Sequence, residues 1–474
     1  MGAAVNRRIG AAVAGTEYQP GSAPTVPLQS FAPDLPVTTP GILTDMDGAV
    51  PIEKGFRARP SPQPYAPHPL PQLPAGAFIA NYSDGTQSLI AGTASGLYRL
   101  AAEGWVAIGG PYQITGHWRF SQFNDDVIAV AAGVAPQVAN GGSGLFTALA
   151  GSPPDGATAI VLNFGQLFMF QGPNWYSGAV GADNDWTPNL ETLAGTGPLP
   201  EIPGDITGAV SFFGSVIAFK AAGIWAGLPV GPPDIMDWQL ISQYTGVRNQ
   251  SAIVSLSDRF AFLGTDDFYV CQGYYPQPIP NHLKEWFFET ADPRYLGQVM
   301  GWYDPDFATV YWHFVSIYAP QPGVADMYVA WNTRRNRWAK GTLGVAGVPS
   351  SAQPQVNRFV NSKSLYFDSN YVLQQLSGEG GPMRLRSWYI GMEGQITRLL
   401  RARATYNLYP AAQSLSDYSS YVLGQDETQT LATLGLDDWH NLRTSNRYHR
   451  LELTTSGDCE VMAFAAEGHL AGIR

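Results

Sequence analysis

The residues able to do chemistry in this chain are few and scattered. Its seven histidines are His68, His117, His282, His313, His440, His449 and His469, and none forms an H-E-x-x-H or H-x-H pattern. The helical zinc pair of a metalloprotease is therefore missing. The nearest grouping is His440 and His449 with Asp437 and Asp438, which reads as polar loop residues rather than a metal site. Carboxylates come in pairs at Asp125/Asp126, Asp183/Asp185, Asp266/Asp267 and Asp304/Asp306. Glycoside hydrolysis needs two carboxyls at a set separation across a cleft. These pairs sit in turn-like sequence, where Asp is favoured for the hydrogen bonds its side chain makes to nearby backbone. Asp183-Asn184-Asp185 has the start of a weak Ca²⁺ site without the further ligands of an EF-hand loop. No lysine follows Gly141-Gly142-Ser143-Gly144, so that loop is no phosphate cradle, and G-x-S-x-G and G-x-G-x-x-G are absent. The expectation is a protein with no catalytic, cofactor-binding or metal residues: not an enzyme, and without a cofactor.

What the chain does contain is a degenerate repeat. A short apolar strand, a tight turn and a second apolar strand recur in seven segments. They are Ala77–Tyr98, Trp118–Val130, Ala159–Tyr176, Gly208–Trp225, Ala252–Val270, Val299–Trp312 and Phe359–Leu373. Turn residues such as Ser83-Asp84-Gly85, Phe213-Gly214 and Asp368-Ser369-Asn370 separate the strands. The spacing matches one four-stranded propeller blade per repeat. Ile217–Phe219 and Phe260–Leu263 are apolar on both faces, as inner strands sandwiched between blades require. Met327–Trp331 with Arg337–Ala339 reads as an outer hairpin, expected to alternate. A β-sandwich is the competing architecture, but it would not show the long period. The fold class expected is all-β: a β-propeller of about seven blades, six or eight being the alternatives. WD40 signature dipeptides and the Asp box are missing.

Two flanking regions differ. Residues 1–75 carry 14 of the 37 prolines and read as an extended Pro-rich N-terminal arm, with an ordered clip at Gly41–Arg59. Residues 76–380 hold the propeller. Residues 381–474 read as a small C-terminal β element, with strands at Met383–Ile390, Ile396–Tyr409, Tyr448–Thr454 and Cys459–Ala466. Within the propeller, Leu283, Trp286 and Phe287 fall at helical spacing and predict a short helix over Asn281–Thr290.

Composition narrows the function classes. Aromatics reach 12% and charged residues only 14%, the reverse of a disordered chain. The 58 aromatic residues fall mainly in strand patterns, which assigns most of them to packing between blades. The net charge of −11 argues against broad affinity for nucleic-acid phosphates. Residues 61–247 hold three basic residues, Arg99, Arg119 and Lys220, against twelve acidic ones. The stretch 383–403 reverses the sign, with Arg384, Arg386, Arg398, Arg401 and Arg403 facing only Glu393. Those arginines are expected on a solvated strand face or against acidic surface of a neighbour. Cys271 and Cys459 cannot make a disulfide framework and read as buried thiols of a chain made in a reducing cytosol. No apolar run reaches the length of a membrane span.

The clip ending in Gly55-Phe56-Arg57-Ala58-Arg59, the first hairpin Ala77–Ile90 with Gly96-Leu97-Tyr98, the repeated blades and the strand Arg447–Leu453 together resemble the tail nozzle proteins of short-tailed bacteriophages, also called hub or packaged-DNA-stabilisation proteins. The resemblance runs over most of the chain, although its motifs are degenerate. It implies a structural virion protein made in the host cytoplasm and assembled into the tail. Implied partners are further copies in a ring, commonly a hexamer, the portal-adaptor ring above, and tail fibre or tailspike proteins. Genomic DNA would pass the ring lumen without tight binding, retained or gated until ejection, and no catalytic residue carries over. Negative charge facing that lumen would leave DNA free to slide. The alternatives are a glycan- or receptor-binding propeller of a tail tip and a monomeric cellular scaffold.

Overall fold

Apolar stretches joined by two-residue turns can satisfy their backbone groups locally by pairing as antiparallel hairpins. The computed structural model describes residues 24–142, 144–273, 275–343, 348–349, 365–391 and 393–473. Six four-stranded antiparallel sheets follow one another, over residues 74–109, 115–148, 159–198, 208–242, 253–278 and 300–342. A seventh sheet holds, among the described residues, Leu365–Phe367, Leu373–Gly380 and Pro60–Ala66. Six of the seven repeats predicted from sequence lie in the four-stranded sheets. In the last, Leu365–Leu373 lies in the seventh sheet, while 359–364 fall outside the described residues.

Each neighbouring pair of sheets shares its own apolar filling. Phe78, Trp118 and Phe120 pack between the first and second. Ile128, Leu167 and Met169 pack between the second and third. Phe170, Val216 and Trp225 follow, then Phe219, Phe260 and Phe262. Val254, Phe268 and Trp312 join the fifth to the sixth, where Tyr366 of the seventh also enters. Ile79, Leu89, Phe367 and Leu373 seal the seventh against the first. A ring of seven sheets in which every face is covered by a neighbour is a β-propeller, the expected fold. The innermost strand of each four-stranded sheet comes first in sequence, and these strands line the axis.

The N-terminal region departs from the expected arm. Pro60–Ala66 pairs with Leu373–Gly380 and becomes the outer strand of the seventh blade, so the two ends of the propeller clasp within one sheet. Prolines 60, 62 and 64 have no N–H to donate, which confines this strand to an outer edge. Upstream of it, Thr25–Pro27, Leu43–Asp47, Ala49–Ile52 and Gly55–Ala58 all enter the C-terminal sheets. One sheet runs Ala49–Ile52, Gly55–Ala58, Glu460–Ile473, Gln395–Leu408, His440–Asn446, Thr433–Leu434, with Thr25–Pro27 also on Glu460–Ile473. The other runs Leu43–Asp47, Met383–Gly391, Tyr448–Ser456, Ala412–Ser420, Thr428–Leu431. Leu385, Leu399, Leu415, Leu451, Leu453 and Phe464 belong to the buried core these strands share. The C-terminal element is thus a β-sandwich built from residues 25–58 together with 383–473, so the expected arm and C-terminal element are one unit and not two. Residues 1–23 of the expected arm lie outside the described residues.

This sandwich leans on the sixth blade. The Tyr328 hydroxyl donates to the Ala49 carbonyl at 3.0 Å, and Arg337 Nη1 donates to the Ile52 carbonyl at 2.6 Å. The third strand of that blade, Met327–Asn332, is buried at every position instead of alternating as expected of an outer hairpin. The cause is the N-terminal hairpin covering its second face. The predicted helix is present as Lys284–Thr290, its first turn held by Asp34, which accepts from the Glu285 and Trp286 amides at 2.9 and 3.0 Å.

Blade six also carries a buried imidazole. Trp302 Nε1 donates to His313 Nε2 at 3.0 Å, which requires a neutral ring. Burial, with Arg59 nearby, pushes this imidazole down to about 3. The unfolded chain takes up a proton near pH 6.5 while the native ring refuses it, so stability falls as pH drops from about 6.5 towards 3. The expected slope from this group is about 1.4 kcal/mol per pH unit across that window. Denaturant midpoints measured between pH 7 and 4 for wild type and His313→Gln check this: the pH dependence of the variant should be flatter by that amount.

Candidate functional site

The carboxylate pairs predicted from sequence lie in or beside turns, and most accept hydrogen bonds from backbone amides near or across the blade. Asp125 accepts from the Ser83 amide at 2.7 Å, and Asp126 from the Gly141 amide at 2.9 Å. Asp185 accepts from the Thr187 amide, and Asp267 from the Phe268 amide and Asn281. Asp304 accepts from the Asp306 amide at 2.9 Å. Among the described residues, no group of three or more metal-ligating side chains converges. His440 and His449 part company. His449 lies within the sandwich, Nδ1 2.7 Å from Asp417 Oδ2 and Nε2 3.0 Å from the Thr397 carbonyl oxygen, while His440 faces Gln413 at 3.4 Å.

Of the five arginines, Arg384, Arg386, Arg401 and Arg403 are engaged within the sandwich, and Arg398 is exposed, as expected of a solvated strand face. Arg384 pairs with Asp45 at 2.7 Å and with Glu452 at 3.3 Å, and Arg386 also holds Glu452. Arg401 pairs with Glu467 at 2.7 Å, and Arg403 lies over the Trp439 ring. The sequence count missed this because Asp45, Glu452 and Glu467 reach these arginines from other strands of the sandwich. Cys271 and Cys459 are buried free thiols, and burial pushes Cys271 up to about 11.

Two features remain that point outward from the fold. The first is the propeller axis. On the innermost strand Thr115–Phe123, Trp118 and Phe120 turn towards the first blade. Alternation then places His117, Arg119 and Ser121 on the opposite face. Arg119 reaches across the axis, its Nη1 donating to Ser251 Oγ beside the fifth blade at 2.8 Å. On one side of that crossing lies a cavity of about 370 Å³ lined by Phe120, Gln122, Leu162, Ser211, Ser255 and Trp302. On the other lies a pocket of about 240 Å³ lined by His117, Thr158, Asp205, Thr207, Arg248 and Asn249. Gln250 lines both. Burial lowers the Arg119 guanidinium to about 10, and burial together with Arg119 lowers His117 to about 4. Sequence reasoning counted Arg119 but did not place it. Its signal was a lone arginine inside an otherwise inner-strand pattern, Trp118-Arg119-Phe120.

The second feature is an apolar end of the sandwich. Leu436 is 111% exposed, Leu431 67% and Tyr409 60%, with Leu408 and Leu434 also open. Leu408 and Tyr409 close the turn after Gln395–Leu408, and the leucines follow Thr428–Leu431 as the chain crosses between the two sheets. Tyr406 donates to Gln413, which also faces His440, and this links the two segments.

No protein-family model and no curated protein sequence matches the chain. Solved structures do. BamB from Moraxella catarrhalis is similar over 70% of this chain and 96% of its own length, at 11% identity and a TM-score of 0.40. The Pan2 WD40 domain of Neurospora crassa covers 71% and 93%, at 8% identity and 0.39. YCF48 from Cyanidioschyzon merolae covers 66% and 98%, at 11% identity and 0.40. The propeller assignment rests on this chain's own sheet order and inter-blade packing.

Proposed function

We propose that this chain is a structural protein of a short phage tail, forming the nozzle ring that docks below the portal-adaptor and retains packaged double-stranded DNA until ejection. The observation that carries the reading is the apolar end of the sandwich around Leu431, Leu434 and Leu436. A lone soluble protein rarely groups bare leucines in this way, and such a patch marks a protein–protein contact. The sandwich thus supplies the contact between subunits, and the propeller projects from it. The twelve acidic residues of 61–247 support the DNA-conduit part of the reading. None of them is buried, so a lumen lined by this face repels phosphates rather than gripping them.

Imaging the protein by cryo-electron microscopy, in its particle or mixed with portal-adaptor complexes, tests the proposal. The expected result is a closed ring of propellers, sandwiches in contact, at the distal end. Isolated discs that never join such a complex would sink it. Leu436→Asp should change the stability of the isolated subunit by less than about 0.5 kcal/mol, because the side chain packs on nothing. The same change should prevent ring formation in sedimentation experiments, since it puts a charge into the buried contact.

A further inference from the structure

We infer that the axial pocket beside Arg119 is a binding site for a small free oxyanion, a carboxylate or a phosphate. The site is built by the fold: Trp118, filling the interface to the first blade and donating Nε1 to the Thr93 carbonyl at 2.8 Å, fixes the strand that aims Arg119 at the axis. A guanidinium has five N–H donors. Among the described residues Arg119 uses one nitrogen, on Ser251, and has no carboxylate within ion-pair distance. Arg119 is half-buried in the pocket wall, so its charge is only partly hydrated, and an anion that completes the pair recovers part of that cost. Lys220, another cation of the same acidic stretch, is the contrast. Its ammonium donates to the Leu199 and Ile202 carbonyls at 2.6 and 2.7 Å and lies over Trp225, leaving nothing to recruit.

The pocket supplies a second guanidinium. Arg248 stands exposed at its rim. The Thr158 and Thr207 hydroxyls donate to the Phe170, Phe219 and Val247 carbonyls and Asn249 donates to Val299, so the two guanidiniums are the donors open to an anion. Asp205 also lines it and opposes an anion, so two guanidiniums stand against one carboxylate. Planar guanidinium groups match carboxylate and phosphate oxygens two at a time. A volume of about 240 Å³ holds an ion between phosphate and citrate in size and excludes a folded peptide.

Isothermal titration of the full chain with inorganic phosphate and with citrate, at fixed ionic strength, tests the inference. The expected result is one saturable site with a Kd on the order of 1 mM or tighter for at least one of the two. Arg119→Met should weaken it about tenfold or more, and Arg248→Gln several-fold. Arg248 is exposed, so that variant folds whatever the fate of the first, and far-ultraviolet circular dichroism checks both. No saturable heat with either anion overturns the inference. So does binding that both variants leave unchanged, which would mark a site elsewhere.

Discussion

Deletion of residues 1–66 is expected to abolish soluble expression of the chain. The missing strands belong to structures completed by the far end of the chain. Without them Met383–Gly391 loses Leu43–Asp47, Glu460–Ile473 loses Thr25–Pro27 and Gly55–Ala58, and Leu373–Gly380 loses Pro60–Ala66. Three long edges are then open to pairing with other chains. The core loses Val26, Leu28, Phe31, Ile42, Leu43, Met46, Val50 and Phe56, all buried. At the low end of about 1.5 kcal/mol per buried side chain, that loss is on the order of 12 kcal/mol, comparable with the whole stability of a typical domain. Fractionation of the lysate and circular dichroism provide the readout. Residues 24–66 supplied as a second chain should restore solubility, because the contacts are non-covalent. A deletion variant that stays soluble and unfolds cooperatively would show the clasp to be dispensable.

Replacing Trp312 by alanine is expected to be the most damaging single substitution in the propeller. Its indole is fully buried, with ring centroids 5.0 Å from Phe268 and 6.1 Å from Trp338. Its Nε1 donates to the Ala252 carbonyl at 3.2 Å and so ties blade six to blade five. Truncating a buried tryptophan costs about 3–5 kcal/mol through lost transfer energy and the cavity left behind. The orphaned carbonyl adds about 1–3 kcal/mol more. Trp312→Phe keeps most of the volume and loses the donor, so it should cost less than half as much. Guanidinium titration followed by fluorescence gives both midpoints. Equal midpoints for wild type and Trp312→Ala would contradict the packing described.

The propeller was legible because each blade announces itself within about 20 residues. Ala159–Asn163 and Gln166–Gln171 are apolar on both faces and are joined by a two-residue turn at Phe164-Gly165, so the pairing partner is next in sequence. The sandwich was legible only in part. Met383–Gly391 and Gln395–Leu408 look like strands, but Ala412–Ser420 reads AQSLSDYSS, mostly small polar residues that also suit loops. Its strand character comes from Tyr448–Ser456, which pairs with it along its whole length. The clasp was illegible for a different reason. Prolines 60, 62 and 64 forbid an inner strand, and nothing local reveals that an edge more than 300 residues downstream will accept them. Arg119 was visible as a charge, but its position on the axis depends on seven blades closing around it.

The pairing of Thr25 with Ala465 also sets a clock. About 440 residues separate the two, and at roughly 5–20 residues per second a ribosome needs on the order of 20–90 s to deliver the second after the first. The first six blades have all their strands in order and can assemble as they emerge. Thr25–Pro27, Leu43–Asp47 and Gly55–Ala58, by contrast, must wait while more than 300 residues are made before their partners emerge. A run of prolines suits Pro60–Ala66, which waits beside a finished blade for Leu373–Gly380, because it offers passing chains few amide donors to pair with. Glu460–Ile473 therefore admits Thr25–Pro27 and Gly55–Ala58 to the fold, and a chain cut short before it would leave those strands without their partner.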